Sequence, residues 1–220
     1  MREQYRQELR DLHAEVVDIF VCVTGATKSA VNSLVTGDAD LGQKVVDGDD
    51  EIDDRCLGVE ERVLETIATQ FPVARDLRLL QSLTLISMHL ERMGDLAGNI
   101  AKAAIRTADR KGPQTLYDLI QAQGNLVYRV LDATREALEN RDLDLARKLP
   151  ELDEPIDQLY KQFFRELARL HDEDELEWAS SMVLASRYLE RIADNSIDIG
   201  ERIAFLITGE REAHAAEQNQ

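Results

Sequence analysis

Leu90-Glu91-Arg92-Met93-Gly94-Asp95 and Leu189-Glu190-Arg191-Ile192-Ala193-Asp194 are two versions of one six-residue phrase, 99 residues apart. A second pair lies upstream. Asp49-Asp50-Glu51-Ile52-Asp53 answers Asp153-Glu154-Pro155-Ile156-Asp157 at an offset of 104, which Asp40-Leu41 and Asp144-Leu145 share. Two ordered matches with offsets differing by five residues describe a duplication with one length change between them. The change falls in a connection, where residues 68–72 (Ala-Thr-Gln-Phe-Pro) give way to the terse His171-Asp172-Glu173-Asp174.

Each copy reads as three helices. Residues 3–36 carry Leu9, Leu12, Val16, Ile19, Val23, Ala26, Ala30 and Leu34 at spacings of three and four, one helical face. Gly37-Asp38 interrupts it. A second helix is expected from Ala39 to Thr69, and a third from Pro72, whose fixed φ suits a first helical turn. The third carries Leu77, Leu80, Leu83, Ile86, Leu90, Ala97 and Ile100. Lys111-Gly112-Pro113 is the clearest boundary. Beyond it the pattern repeats over residues 114–140, 142–170 and 173–208. The expected units are 1–110, 111–209 and a frayed polar tail, 210–220.

The composition agrees with an all-α chain. Of 220 residues 44% are hydrophobic but only 5% aromatic, so the core must be aliphatic, which suits helix-on-helix packing. Long helices with short loops pack as antiparallel bundles, here two rods about 45 Å long lying side by side. Small residues along the third helices (Gly94, Ala97, Gly98, Ala101; Ala193, Ser196, Gly200) would let neighbouring helices approach closely.

Charge narrows the function. Forty-three acidic against 26 basic residues give −17, which repels the phosphate backbone of nucleic acid and an anionic membrane surface. No apolar run approaches the ~18 residues of a membrane span, and the charged start lacks the apolar segment of a signal peptide. Cys22 and Cys56 have no metal-type spacing and read as reduced, half-buried residues. A cytoplasmic protein without membrane insertion is expected.

The repeated acids are the candidate chemistry. Asp49/Asp53, Glu91/Asp95, Asp153/Asp157 and Glu190/Asp194 each sit at i, i+4, both carboxylates on one helix face. A single pair means nothing, since about eight arise by chance at this acid content with helical spacing. Recurrence at equivalent places in both copies, beside the apolar residues Leu90 and Leu189, is informative. An antiparallel pairing of the second and third helices could bring Asp49/Asp53 to Glu91/Asp95. Asn99 and Asp198 extend the stripe by a turn. Converging carboxylates form a hard-oxygen site suited to magnesium, manganese or iron, zinc less so. The competing reading is neutralisation by Arg92, Arg191, Arg75 or Arg78. Pro155 is expected to open a helix, which would put Asp153 off the helical face.

Four longer stretches carry a family resemblance. Gln70-Phe-Pro-Val-Ala-Arg-Asp-Leu-Arg78 and Leu90-Glu-Arg-Met-Gly-Asp-Leu-Ala-Gly-Asn-Ile-Ala-Lys102 resemble first-repeat signatures of the PhoU family. Tyr188-Leu-Glu-Arg-Ile-Ala-Asp-Asn-Ser-Ile-Asp-Ile-Gly-Glu201 and Leu206-Ile-Thr-Gly-Glu210 are similar to its second repeat and closing segment. The resemblance implies two three-helix-bundle repeats in a cytoplasmic protein, expected as a homodimer. It also implies a restraint on phosphate uptake, exerted as an adaptor between the phosphate ABC transporter ATPase and a sensor histidine kinase. It further implies iron or zinc clusters at Asp/Glu-x-x-x-Asp motifs, here Asp49, Asp53, Glu91, Asp95, Asp153, Asp157, Glu190 and Asp194. Asn195 stands where the family often has His and Asp198 where it often has Asn, leaving the second site more acidic and free of imidazole.

Other classes fit less well. A di-iron carboxylate enzyme needs Glu-x-x-His on two helices, and none of His13, His89, His171 and His214 has Glu three residues before it. No nucleophile elbow or phosphate-cradling glycine loop is present, so no enzyme is expected. His89 reads as a partly exposed helix residue, and Trp178, Phe163 and Phe164 as core side chains. A purely structural scaffold is the remaining alternative. It has no need to place acids at the same turn twice.

Overall fold

A computed structural model of the chain describes residues 2–169 and 173–210. Seven helices follow in order: α1 (Arg2–Thr36), α2 (Ala39–Asp47), α3 (Asp49–Gln70), α4 (Ala74–Thr107), α5 (Gln114–Asn140), α6 (Leu143–Leu167) and α7 (Glu173–Thr208). No strand occurs among the described residues. The expected short connection at His171–Asp174 and the tail lie largely outside them, at residues 170–172 and 211–220.

The apolar periodicity becomes the core. Leu12, Val16, Ile19, Val23 and Ala30 of α1 are fully buried, as are Leu80, Leu83, Ile86, Leu90 and Ile100 of α4. Helix α1 packs along α4 and α5 along both α6 and α7, giving one bundle of α1–α4 and a second of α5–α7. The bundles meet where α4 lies along α7 and α1 along α5. Among the described residues α2 and α3 touch only first-bundle helices, and α6 touches only α5 and α7, so they flank the joined core. Phe163 and Trp178 are buried as expected, whereas Phe164 and Leu77 are 41% and 42% exposed.

The duplication extends to the turns. Gly37 (φ 72°) ends the first helix of one copy in the left-handed region, and Arg141 (φ 52°) does so 104 residues later. The next residue caps the following helix in both. Asp38 accepts from the Leu41 amide (2.9 Å) and Asp142 from the Leu145 amide (3.0 Å). Their own amides bond back to Ser33 O and Ala137 O, closing equivalent six-residue loops. Asp38→Ala and Asp142→Ala should each cost ~1 kcal/mol of unfolding free energy in a denaturant titration. A loss at one turn only would show that the two are not energetically equivalent.

Three expectations about helix ends need correction. The second helix of the first copy is broken at Gly48, which leaves α2 and α3 as separate segments. The Gly48 amide bonds to Lys44 O and Val46 O, and Asp49, Asp50 and Glu51 then form an acidic first turn for α3. Such a turn complements the positive helix start, so it favours a fresh N-terminus over continuation. Pro72 lies outside α4, which starts at Ala74 behind an extended Val73 (φ −118°, ψ 148°). Pro155 does not open a helix. Both Pro150 and Pro155 lie inside α6, so Asp153 is helical and shares a face with Asp157.

Candidate functional site

The four acids of each copy do come together, on the α3–α4 seam and on the α6–α7 seam. In the first, Asp49 begins α3 and its carboxylate lies over two glycines of α4. A Cβ on Gly98 would stand 3.1 Å from Asp49 Oδ2, and one on Gly94 would stand 3.3 Å from Oδ1. Any side chain there would press on the carboxylate, so the α4 glycines form a cradle for it. Asp53 follows one turn along α3, facing Glu91 and Asp95.

Electrostatics records this crowding. Burial, then the charges of Asp53 and Asp95, push Asp49 from 3.8 up to about 6. Burial and Asp95 raise Asp53, while burial, Asp53 and Asp95 raise Glu91. Lys102 and Arg92 oppose these shifts only from a distance. Among the described residues no cation pairs directly with Asp49, Asp53, Glu91 or Asp95.

The second seam repeats the arrangement with one difference. Burial, then Asp157, Asp194 and Glu190, raise Asp153 from 3.8 to about 6. Burial also raises Glu190 and Asp194 against the pull of Arg187. Arg187 Nη1 forms an ion pair with Glu190 Oε2. The arginines expected to neutralise the acids do not pair with them. Arg75 and Arg78 line a separate cavity, while Arg92 and Arg191 make no ion pair among the described residues. Arg187 escaped the sequence reading, although its place three residues before Glu190 is a helical pairing signal.

Asp198 adds its charge to the cluster by raising Asp194, and it also reaches α4. Its Oδ2 lies 3.9 Å from His89 Nδ1, whose proton is directed at Asn195 Oδ1 (2.9 Å). His89 is therefore a half-buried link between α4 and α7 and not a bystander on the surface. Periodicity could not show this, because the contact spans the two copies.

The donor set fits a hard cation in part. Asp153 Oδ1 is buried without a hydrogen-bond partner, a costly state that a cation would relieve. The glycine cradle leaves Asp49 room beside α4, and all donors are hard oxygens, matching magnesium, manganese or iron. As the side chains stand, however, no three His, Cys, Asp or Glu groups among the described residues are gathered tightly enough to hold one ion. The residues suit a hard cation in kind; rotamer changes of exposed Asp53, Asp95 and Asp194 would have to close the shell.

Known proteins place this fold. The PhoU domain model matches residues 16–104 and 120–203, one match in each bundle. The chain is 31% identical over 213 residues to the phosphate-specific transport system accessory protein PhoU homolog of Clostridium acetobutylicum, covering 96% of this chain and 97% of that one. It is 32% identical over 210 residues to the protein of the same name from Caulobacter vibrioides, at 94% and 91% coverage. The crystal structure of PhoU from Pseudomonas aeruginosa superposes with a TM-score of 0.89 at 29% identity, covering 94% of this chain and all of the other. That of the phosphate transport system regulatory protein PhoU from Streptococcus pneumoniae gives 0.85 at 25% identity, with 96% and full coverage. With a domain match in each bundle and near-full-length relatives above 30% identity, the chain belongs to the PhoU family.

Proposed function

We propose that this protein is a cytoplasmic, non-catalytic regulator that restrains phosphate uptake by docking on the transporter ATPase and on a sensor histidine kinase. The observation that carries the reading is the near-full-length match to accessory proteins of phosphate-specific transport. The site's chemistry agrees with it. Carboxylates on helix seams offer charge to neutralise but no activated nucleophile, and no helix among the described residues is long and apolar enough to cross a membrane. Long acidic helices present an extended face to partners, and a charge of −17 speeds encounter with basic surfaces.

We propose further that Asp49, Asp53, Glu91 and Asp95, and in the second bundle Asp153, Asp157, Glu190 and Asp194, hold divalent or ferric cations. A bound cation would supply charge neutralisation, fixing α3 against α4 and α6 against α7. The protein's own part is to cradle Asp49 on Gly94 and Gly98 and to hold Asp153 in a dry position. His89 joins the two seams through Asn195.

Deleting the gene should raise phosphate uptake and phosphate-regulated transcription several-fold in phosphate-rich medium. Wild-type protein should restore both, and tagged protein should recover the transporter ATPase or the kinase. Unchanged uptake and transcription, in a cell with no second copy, would overturn the regulatory reading. Complementation by Glu91→Gln/Glu190→Gln then separates the metal proposal from the docking one.

A further inference from the structure

A cavity at one end of the molecule has nothing to do with the acidic seams. It holds about 870 Å³ between the start of α1, the first turns of α4, the α5–α6 turn and the end of α7. Five arginines line it: Arg6 and Arg10 from α1, Arg75 and Arg78 from α4, and Arg141 from the turn. Among the described residues one carboxylate faces them, Asp76, and its Oδ2 accepts the Tyr5 hydroxyl (3.0 Å). In a chain with 43 acids and 26 bases, gathering five cations around one acid is a local reversal of sign. Like charges so placed repel, and the arrangement is costly unless an anion sits among them.

Three details say that no described residue supplies that anion. None of the five arginines makes an ion pair among the described residues, Arg10 bonding only to the neutral Gln7. Arg78 Nε is buried with no acceptor, while its guanidinium rests on Gly209 at the end of α7. Arg141 keeps a left-handed backbone (φ 52°) at the turn where the first copy uses Gly37. Glycine would relieve that backbone at no cost to the turn, yet the residue present adds a guanidinium to the cavity.

We propose that this cavity binds an oligophosphate, a small anion carrying two or more linked phosphoryl groups. Guanidinium is the side chain that pairs bidentately with phosphoryl oxygens. Five of them, spread over three chain segments, exceed what one orthophosphate can engage. The volume lies within the range of small-molecule sites, roughly 300–1,000 Å³. Leu9, Leu79, Leu206 and Ile207 add an apolar wall, which a nucleoside could cover and an inorganic chain would leave bare. The shared chemistry is the linked phosphoryl groups, whichever molecule brings them.

The test is calorimetric titration of the full chain with tripolyphosphate, a nucleoside triphosphate and orthophosphate, in chelator so that no metal on the seams bridges the ligand. Wild type should bind at least one of the first two at least tenfold more tightly than orthophosphate, with affinity falling as salt rises. Arg75→Gln/Arg141→Gln should weaken this at least tenfold, while Arg129→Gln, an exposed arginine outside the cavity, should not. Arg141→Gly should melt no lower than wild type yet bind several-fold more weakly, separating loss of the site from loss of the fold. Tighter binding of the nucleotide assigns the apolar wall a role; equal binding assigns recognition to the phosphoryl groups alone. No binding of either oligophosphate at millimolar concentration, equal affinity for orthophosphate, or equal loss in Arg129→Gln overturns the proposal.

Discussion

Stripped of metal, Asp49→Asn/Asp153→Asn should be more stable than the wild type at about pH 8, and the advantage should shrink towards about pH 4. Both aspartates have folded-state values raised from 3.8 to about 6. Between those limits the folded protein keeps protons that the unfolded chain has released. Stability therefore falls as pH rises through the window, and the penalty is complete above the folded value. A two-unit shift corresponds to just under 3 kcal/mol, but both groups are only half-buried, so solvent screening reduces this to about 1–2 kcal/mol per site. The double variant should recover about 2–4 kcal/mol, read from chemical denaturation across the pH range. Manganese or iron should invert the ranking. A cation at one hundred times its Kd stabilises the wild type by about 2.7 kcal/mol per site, while the variant gains little. A variant weaker than wild type at high pH without metal, or one equally stabilised by it, would remove the carboxylate clusters as cation sites.

Trp178→Ala should cost about 3–5 kcal/mol, the size expected for emptying a buried aromatic position. The ring is 1% exposed and lies 5.2 Å from the Tyr117 ring, tilted by 59°. Its Nε1 donates to the Tyr117 hydroxyl (2.9 Å), so truncation also strips a half-buried phenol of its donor. Gly112 of the inter-bundle connection lies directly against the ring, and a Cβ there would fall inside it. Gly112→Ala should therefore cost about 1–3 kcal/mol through overpacking. Combined with Trp178→Ala it should cost almost nothing more, because the cavity accepts the methyl group. Additive losses in that double-mutant cycle would mean that the glycine serves the turn rather than the tryptophan.

Gly112 also shows where sequence reading stops. As part of Lys111-Gly112-Pro113 it marked the boundary correctly, but nothing local reveals a partner 66 residues away. What was legible had a period or a repeat. The apolar face of α1 followed from spacing, as did that of α4 apart from exposed Leu77, and antiparallel pairing of the helices brought Asp49/Asp53 towards Glu91/Asp95. What was missed depended on solvent or on packing between copies. Pro155 was expected to open a helix, yet α6 is a flank helix that runs through both prolines, which are exposed. The carbonyl that Pro155 leaves without a partner belongs to exposed Glu151, where water can reach it. Pro150 frees the Ala146 carbonyl, and Gly200 of α7 lets the helices close on it; a Cβ there would stand 3.2 Å from that oxygen. Asp153 could be placed only once that helix was known to be unbroken. The arginine cavity was invisible for a related reason. Its members are scattered over 135 residues and are gathered only by the meeting of both bundles at one end.

The seam between α4 and α7 also carries a history. A half-length ancestor with one bundle would have left the apolar face of its third helix uncovered, and a twin chain is the simplest cover for it. Such a pair is bound by symmetry, so that every residue meets its partner's equivalent in both directions. At the offset of 99, His89 answers Tyr188 and Asn195 answers Leu96. The His89–Asn195 bond therefore has no mirror image across the seam. It could arise only once the two halves differed in sequence, when each face became free to drift alone.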